Sequence, residues 1–418
     1  MWQTPGYIPT LIAVACAFGS WSLLLPVVPS AVLDGGGGDF LAGATTGVFM
    51  AATVLTQIAT PALLRRFGYN PVMMAAALIL GLPSLGYLLG MSTGPALLFS
   101  AIRGVGFGAL TVAESALVAE LVPVRFLGQA SGMLGVFVGL AQMLCLPLGL
   151  ALAQTPLGYP GVYALAAVVG VLAGAMCLKI PRIKAARGDK GENAVPSAST
   201  WKLVTVPALA VTSISMGFGA VSSFLPAAVT ALDANLGALL AGIMLAIVSG
   251  ASMIFRFGAG VVADRRGAPG AMMIPGQILA GVGMVITAAV LFTEASAWWL
   301  VVAAVAFGGG FGVVQNEALL SMFVRLPRSK VSEASAIWNI AYDSGTGLGS
   351  FILGAVAARA AYSGAFATAA VLIGAGIAMT LADSLAGRHR ITEHHNTRAL
   401  LRQIPAARRA VQLLRRRR

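Results

Sequence analysis

Some twelve apolar stretches, each about 20 to 28 residues long, follow one another along this chain, and almost no polar sequence between them is long enough to fold alone. About 20 apolar residues cross roughly 30 Å of hydrocarbon as a helix, and a helix satisfies every backbone amide within itself. Hydrophobic residues make up 58% of the 418 and charged residues 10%, with a mean hydropathy of +0.87. Such a balance excludes a globular domain with a wetted surface. The short alternating strands of a membrane barrel are absent. The fold class is therefore an all-α membrane protein.

Breaks at charged or Pro/Gly-rich segments place spans near residues 7–31, 41–64, 71–91, 95–121, 128–154 and 159–180, then 203–230, 235–263, 270–292, 297–323, 333–358 and 363–385. The first stretch has no basic leader and no small-residue cleavage site, so it reads as a retained helix. Placement of the charges matters more than their net +13. Arg65, Arg66, Arg125, the cluster from Lys179 to Lys202, Arg265, Arg266, Arg325, Arg328, Lys330 and the ten arginines after residue 386 all fall on one side of a twelve-span chain. The opposite side carries Arg359 with Asp34, Asp39, Asp233 and Glu294. Basic loops stay in the cytoplasm, so both termini are expected there, in a multi-pass protein of the cell membrane. An odd number of spans would scramble the pattern.

Cys16, Cys145 and Cys177 lie within spans, in settings unsuited to a disulfide framework or a metal site. All three histidines, His389, His394 and His395, lie in the tail, which excludes an intramembrane histidine relay. No cofactor and no metal are expected, and neither is nucleic-acid recognition. From Thr397 to Arg418 the tail mixes arginines with Leu400, Leu401, Ile404 and Val411, a pattern open to an amphipathic helix on anionic lipid or to a solvated basic tail.

Between the sixth and seventh spans runs a Pro-, Ser-, Gly- and charge-rich linker. It divides the chain into a six-helix bundle over 1–180, a cytoplasmic linker over 181–202, a second six-helix bundle over 203–385 and a basic cytoplasmic tail over 386–418. One half copies the other. Gly106–Gly108, Pro123, Ala130 and Ser131 recur as Gly310–Gly312, Pro327, Ala334 and Ser335 at an offset of 204 residues, and LLRRFG ending at Gly68 recurs as VADRRG ending at Gly267 at an offset of 199. Duplicated six-helix halves mark transporters that rock around a central site.

The loop after the eighth span, GVVADRRG from Gly260 to Gly267, resembles the loop motif G-x-L-A-D-R-x-G of the major facilitator superfamily. Its first-half counterpart, Pro61 to Gly68, lacks the opening glycine and carries Arg65 where the aspartate belongs. RGVGFG from Arg103 to Gly108 is similar to the superfamily's intramembrane arginine motif, without the usual glutamine before a glycine. Gly135 to Gly149 is a degenerate match to the glycine/proline motif of the drug and metabolite antiporter branch. The resemblance covers essentially the whole chain. It implies two pseudo-symmetric six-helix bundles, alternating access, and a latch at Gly260, Asp264, Arg265, Arg266 and Gly267 that holds one conformation through contacts to the other half.

Charges buried in a bilayer cost at least about 2.5 kcal/mol each at a helix centre and so call for a partner or a role. Five stand within spans: Arg103, Glu114, Arg256, Glu317 and Asp343. Arg103 and Glu114 share one face of the fourth span and could line a single pathway or brace neighbouring helices. Asp343 lies nearest the midplane among small residues, where it could load a proton or bond backbone freed by the glycines. Glu317 and Arg256 fall at similar depth, which suits a mutual salt bridge as well as a proton relay. The resemblance places Ser213, Ser215, Gln315 and Asn316 at the cavity. Trp21 and Trp338 could hold an apolar or cationic solute, or pack against lipid.

These features together suggest a proton-driven secondary transporter and not an enzyme, since no nucleophile motif, metal cluster or nucleotide-binding loop is present. Export of small amphipathic compounds or metabolites is the expectation. Uptake of a nutrient, sugar or organic acid, for which Arg103 and Arg256 would be counter-charges, is the alternative, and a lipid-flipping protein is the alternative of another class. The expected partners are a small-molecule substrate, protons and the bilayer, around a monomer.

Overall fold

The computed structural model describes residues 2–185, 200–232 and 237–386. Among these, eleven helices are long and apolar enough to cross a membrane, and the last of them, Arg328–Leu385, is 58 residues long. That helix is broken at Ala360 and at Ala361, where φ is 55° and ψ is −178°. It is two spans joined by a tight corner, so the chain crosses twelve times. The first span, Tyr7–Asp34, has a smaller break, where one helix ends at Leu24 and the next begins at Val27 after Pro26. Proline has no amide to donate and clashes with the preceding turn, which accounts for the break.

The spans then run Phe40–Phe67, Tyr69–Leu89, Thr93–Leu121, Val124–Ala153 and Gly158–Cys177 in the first half, and Leu203–Leu225, Ile243–Arg266, Met273–Thr293 and Trp299–Arg325 ahead of the broken pair in the second. Helix bounds lie within a few residues of the hydropathy breaks, the eighth beginning at Gly237. Residues 186–199 of the linker and the tail from 387 lie outside the described residues, and the expected amphipathic tail with them. The start of the linker packs on the first half, where Ile183 O accepts the Tyr69 amide at 2.8 Å.

Packing repeats the duplication atom for atom. Gly104 and Gly108 of the fourth span lie against the carbonyls of Phe49 and Thr53 in the second, and Gly308 and Gly312 of the tenth lie against those of Val248 and Ser252 in the eighth. Gly106 abuts Ala76 O, as Gly310 abuts Gly276 O. A side chain at any of these positions would strike backbone, so the glycines set the helix spacing inside each bundle.

The halves meet along two seams. In one, the eleventh span crosses the second and fourth; in the other, the fifth lies along the eighth. The second seam is built on a glycine stripe. Gly128, Gly132, Gly135 and Gly139 of the fifth span stand against Gly260, Phe257, Arg256 and Met253 of the eighth.

Candidate functional site

Four polar residues follow one another along the eleventh span from the basic-loop end toward its middle, and each finds its partner in the other half. Glu333 pairs with Arg65 at 3.1 Å. Ser335 Oγ lies 2.5 Å from Ser115 Oγ and donates to Val112 O at 2.8 Å. Asn339 donates to Thr111 O at 3.2 Å. Asp343, the deepest, accepts a hydrogen bond of 2.6 Å from Gln57 Nε2, and Gln57 also donates to Thr111 Oγ1 at 3.2 Å. Ser335, Asn339 and Asp343 follow one another at four residues, about one turn each, and Glu333 stands two residues before Ser335.

The other seam carries the cation. Arg256 donates through Nη1 to Gln315 Oε1 at 3.0 Å, and its guanidinium carbon lies 5.7 Å from the Trp338 ring centre. Trp338 donates its indole N–H to Gln315 O at 3.1 Å and stacks on Tyr342 with centroids 5.4 Å apart. Glu114 is buried in the fourth span, beyond ion-pair distance of Arg256, and its Oε2 has no partner. Acids Asp343 and Glu114, cation Arg256, amides Gln57 and Gln315 and the Trp338–Tyr342 stack therefore lie between the halves.

Other expected residues lie elsewhere. Glu317 does not pair with Arg256, because its Oε2 accepts the amides of Gly270 and Met272 at 2.5 and 3.2 Å and pins the loop between the eighth and ninth spans. Its other oxygen, Oε1, is buried and has no partner. Arg103 shares a helix with Glu114 but not its environment. Arg103 Nε donates to Leu80 O at 3.0 Å, and its guanidinium sits between the rings of Phe49 and Tyr87, inside the first bundle. Trp21 stacks on Phe107 at 4.9 Å and lines a small pocket with Arg103, Phe49 and Tyr87, apart from the central cluster.

Ser213 bonds Ala210 O and lies against Gly376, while Ser215 stands against Gly345. Asn316 is fully buried with neither amide atom partnered. Both serines pack within the second bundle. Hydropathy reading had no means to separate the face of a span that meets its own bundle from the face that meets the other half.

At the basic-loop end, Asp264 accepts the amides of Gly128 and Gln129 at 2.7 and 2.8 Å, so the second-half motif does touch the other bundle. Gly260 lets the backbones of the fifth and eighth spans touch, since a Cβ there would overlap Gly128 O. Gly267 adopts a positive φ of 58°, where glycine is favoured. Arg265 and Arg266 are exposed. The residues the sequence reading missed are Gln57, Thr111, Ser115, Glu333, Ser335, Asn339 and Tyr342. A usable signal existed for Gln57, which is the repeat mate of Arg256 at the 199-residue offset.

Two six-helix halves joined by polar contacts at one end, with a charged cluster between them, have the architecture of a secondary membrane transporter. The sequence profile described as Major Facilitator Superfamily matches residues 10–350, and the chain belongs to that family. Comparison with curated protein sequences finds no match. Among solved structures, the human organic anion transporter MFSD10 (TETRAN) is 15% identical with a TM-score of 0.73, covering 90% of this chain and 98% of its own. The proton:xylose symporter XylE bound to 6-bromo-6-deoxy-D-glucose is also 15% identical at 0.73, covering 90% and 94%. The transporter FucP in the outward conformation is 16% identical at 0.71, covering 90% and 99%. At such identities the likeness is one of fold.

Proposed function

We propose that the chain is a proton-coupled secondary transporter that exports small amphipathic compounds or metabolites by alternating access, as a monomer in the cell membrane with both termini cytoplasmic. The supporting observation is the bond between Asp343 and Gln57. A carboxyl group whose partner belongs to the opposite half loses that partner, and gains water, each time the halves part. Its proton affinity then differs between the two states, which is what coupling requires. Glu114, buried in the fourth span with Oε2 unpartnered, is the second coupling acid.

With the basic loops in the cytoplasm, the ladder of contacts closes the cytoplasmic side, and this conformation faces outward. The resemblance of the fifth span to the antiporter motif, with Pro147 inside the helix, supports export. Uptake of a sugar or organic acid is the second reading. It is favoured by Arg256, which has no acid within ion-pair distance among the described residues, and by the similar structures, which include a proton:xylose symporter and an organic anion transporter.

The test is uptake of a panel of lipophilic dyes into inside-out vesicles with an imposed pH gradient. Gradient-driven uptake that falls roughly tenfold or more in Asp343→Asn or Glu114→Gln is expected. Equal uptake with the gradient dissipated would overturn proton coupling, and a compound driven in the opposite direction would overturn export.

A further inference from the structure

Because the chain is duplicated, each half serves as a control for the other. Gln57 and Arg256 are repeat mates, and so are Thr111 and Gln315 at the 204-residue offset. Both pairs make the same contact, Gln57 to Thr111 in the first half and Arg256 to Gln315 in the second. Gln57 then makes a further bond across the seam, to Asp343. The repeat mate of Asp343 is Gly139, on the fifth span beside Met253. So the position from which a carboxylate would answer Arg256 carries no side chain.

One turn away, Gly135 has the same effect. A Cβ there would fall 2.5 Å from Arg256 Cδ and Nε, so the fifth span makes room for the guanidinium and offers it no charge. The groups that do face Arg256 are Gln315, the Trp338 ring, Tyr342 and the more distant Glu114. No acid lies within ion-pair distance among the described residues. Arg256 Nε is buried and unpartnered. A guanidinium has five donors and suits a two-point match to a carboxylate, and a buried one left unmatched is costly. Gln315 occupies Nη1, which leaves the edge formed by Nε and Nη2.

We infer that this edge of Arg256, which meets the glycine stripe of the fifth span at Gly135, seats the carboxylate of the transported molecule, with its apolar or aromatic body against Trp338 and Tyr342. The substrate is then an amphipathic organic anion. This rests on the reading of the chain as a transporter whose site lies between its halves, and it names the substrate class for that site.

The test is binding of radiolabelled naphthalene-1-carboxylate to the purified full-length protein in nanodiscs, in competition with the neutral carboxamide and the cationic methylammonium analogue. The carboxylate is expected to bind, with both analogues competing roughly tenfold or more worse. Arg256→Gln loses a similar factor and Arg256→Lys recovers part of it, while Arg359→Gln, at an exposed arginine, leaves binding unchanged. Gly139→Asp supplies the absent carboxylate and weakens binding, whereas Gly139→Asn, equal in size and uncharged, weakens it much less.

Equal competition by all three head groups would overturn the inference, as would equal binding by the Asp and Asn variants, or no carboxylate binding tighter than about 10 mM. Should the Gly139 variants fail to fold, the Arg256 pair carries the test. Binding needs no gradient. If the carboxylate binds through Arg256 but no pH gradient drives its transport, proton coupling fails and the anion site stands; the converse result removes the anion site alone.

Discussion

Asp264 directs both carboxylate oxygens at the first turn of the fifth span, where the amides of Gly128 and Gln129 have no partner within their own helix. An anion at a helix N-terminus gains from two hydrogen bonds and from the helix dipole, and bonds to a charged group are worth about 1.5–3 kcal/mol each. Both bonds cross from one half to the other, so the energy acts on the balance between closed and open rather than on either bundle. Asp264→Ala is therefore expected to raise amide hydrogen exchange at Gly128 and Gln129 by roughly ten- to a hundredfold, with little change at Gly104 or Gly308 inside the bundles. Exchange that stays unchanged at the two amides would show that the contact does not hold the halves together. Gly260→Ala would act on the same seam by steric means, because its methyl group has to displace Gly128 O. Asp264 and Gly260 were readable from sequence because the whole motif lies within eight consecutive residues at the end of the eighth span, whereas its partner amides carry no side-chain signature at all.

The second and eighth spans end in mate positions, Arg65 and Asp264, and those residues face mate positions on the eleventh and fifth spans, Glu333 and Gln129. The first half therefore keeps a latch, with its acid moved. Where the second half uses an aspartate against backbone amides, the first uses an arginine against a glutamate at 3.1 Å, with side chains about one-third exposed. From sequence alone the missing aspartate left this latch open to question, because the compensating acid lies 268 positions away on a span that nothing local connects to it. A partly exposed ion pair contributes only about 0.2–1 kcal/mol, so removing either partner should alter transport modestly. Reversal is more informative. Arg65→Glu alone places like charges together and is expected to slow transport several-fold, and Glu333→Arg added to it should restore the rate. A double variant no better than the single one would mean that the two residues do not act as a pair. The corner at Ala361 offers an independent check at the same scale. Its φ of 55° suits glycine better than alanine, so Ala361→Gly is expected to raise the melting temperature or leave it unchanged, and a clear fall would argue against that backbone geometry.

Across the whole molecule the two seams differ in kind, and the difference bears on how the halves can move. The fifth and eighth spans are joined by glycines in close backbone contact, and among the described residues the side-chain bonds between them are those of Asp264 at one end. Along the seam of the second, fourth and eleventh spans, by contrast, there is a ladder of specific hydrogen bonds that has to break rung by rung. Hydropathy gave the twelve spans and repeat offsets gave the two halves, since both follow from periodic features of the chain. The ladder stayed hidden because Ser115, Ser335 and Asn339 look like ordinary small polar residues until the halves are brought together. If alternating access operates here, the ladder opens in every cycle. Ser115 and Ser335 have oxygens 2.5 Å apart, close enough for cysteines at both positions to form a disulfide. In a background with Cys16, Cys145 and Cys177 replaced by alanine, Ser115→Cys with Ser335→Cys is expected to lose most transport on oxidation and regain it on reduction, while each single variant stays active. Binding of a ligand from the open side should survive in the oxidised protein, because the link fixes the closed end and leaves the site accessible from the other. Full transport with the disulfide formed would show that these spans do not separate, and the rocking of one half against the other would have to be abandoned for this chain.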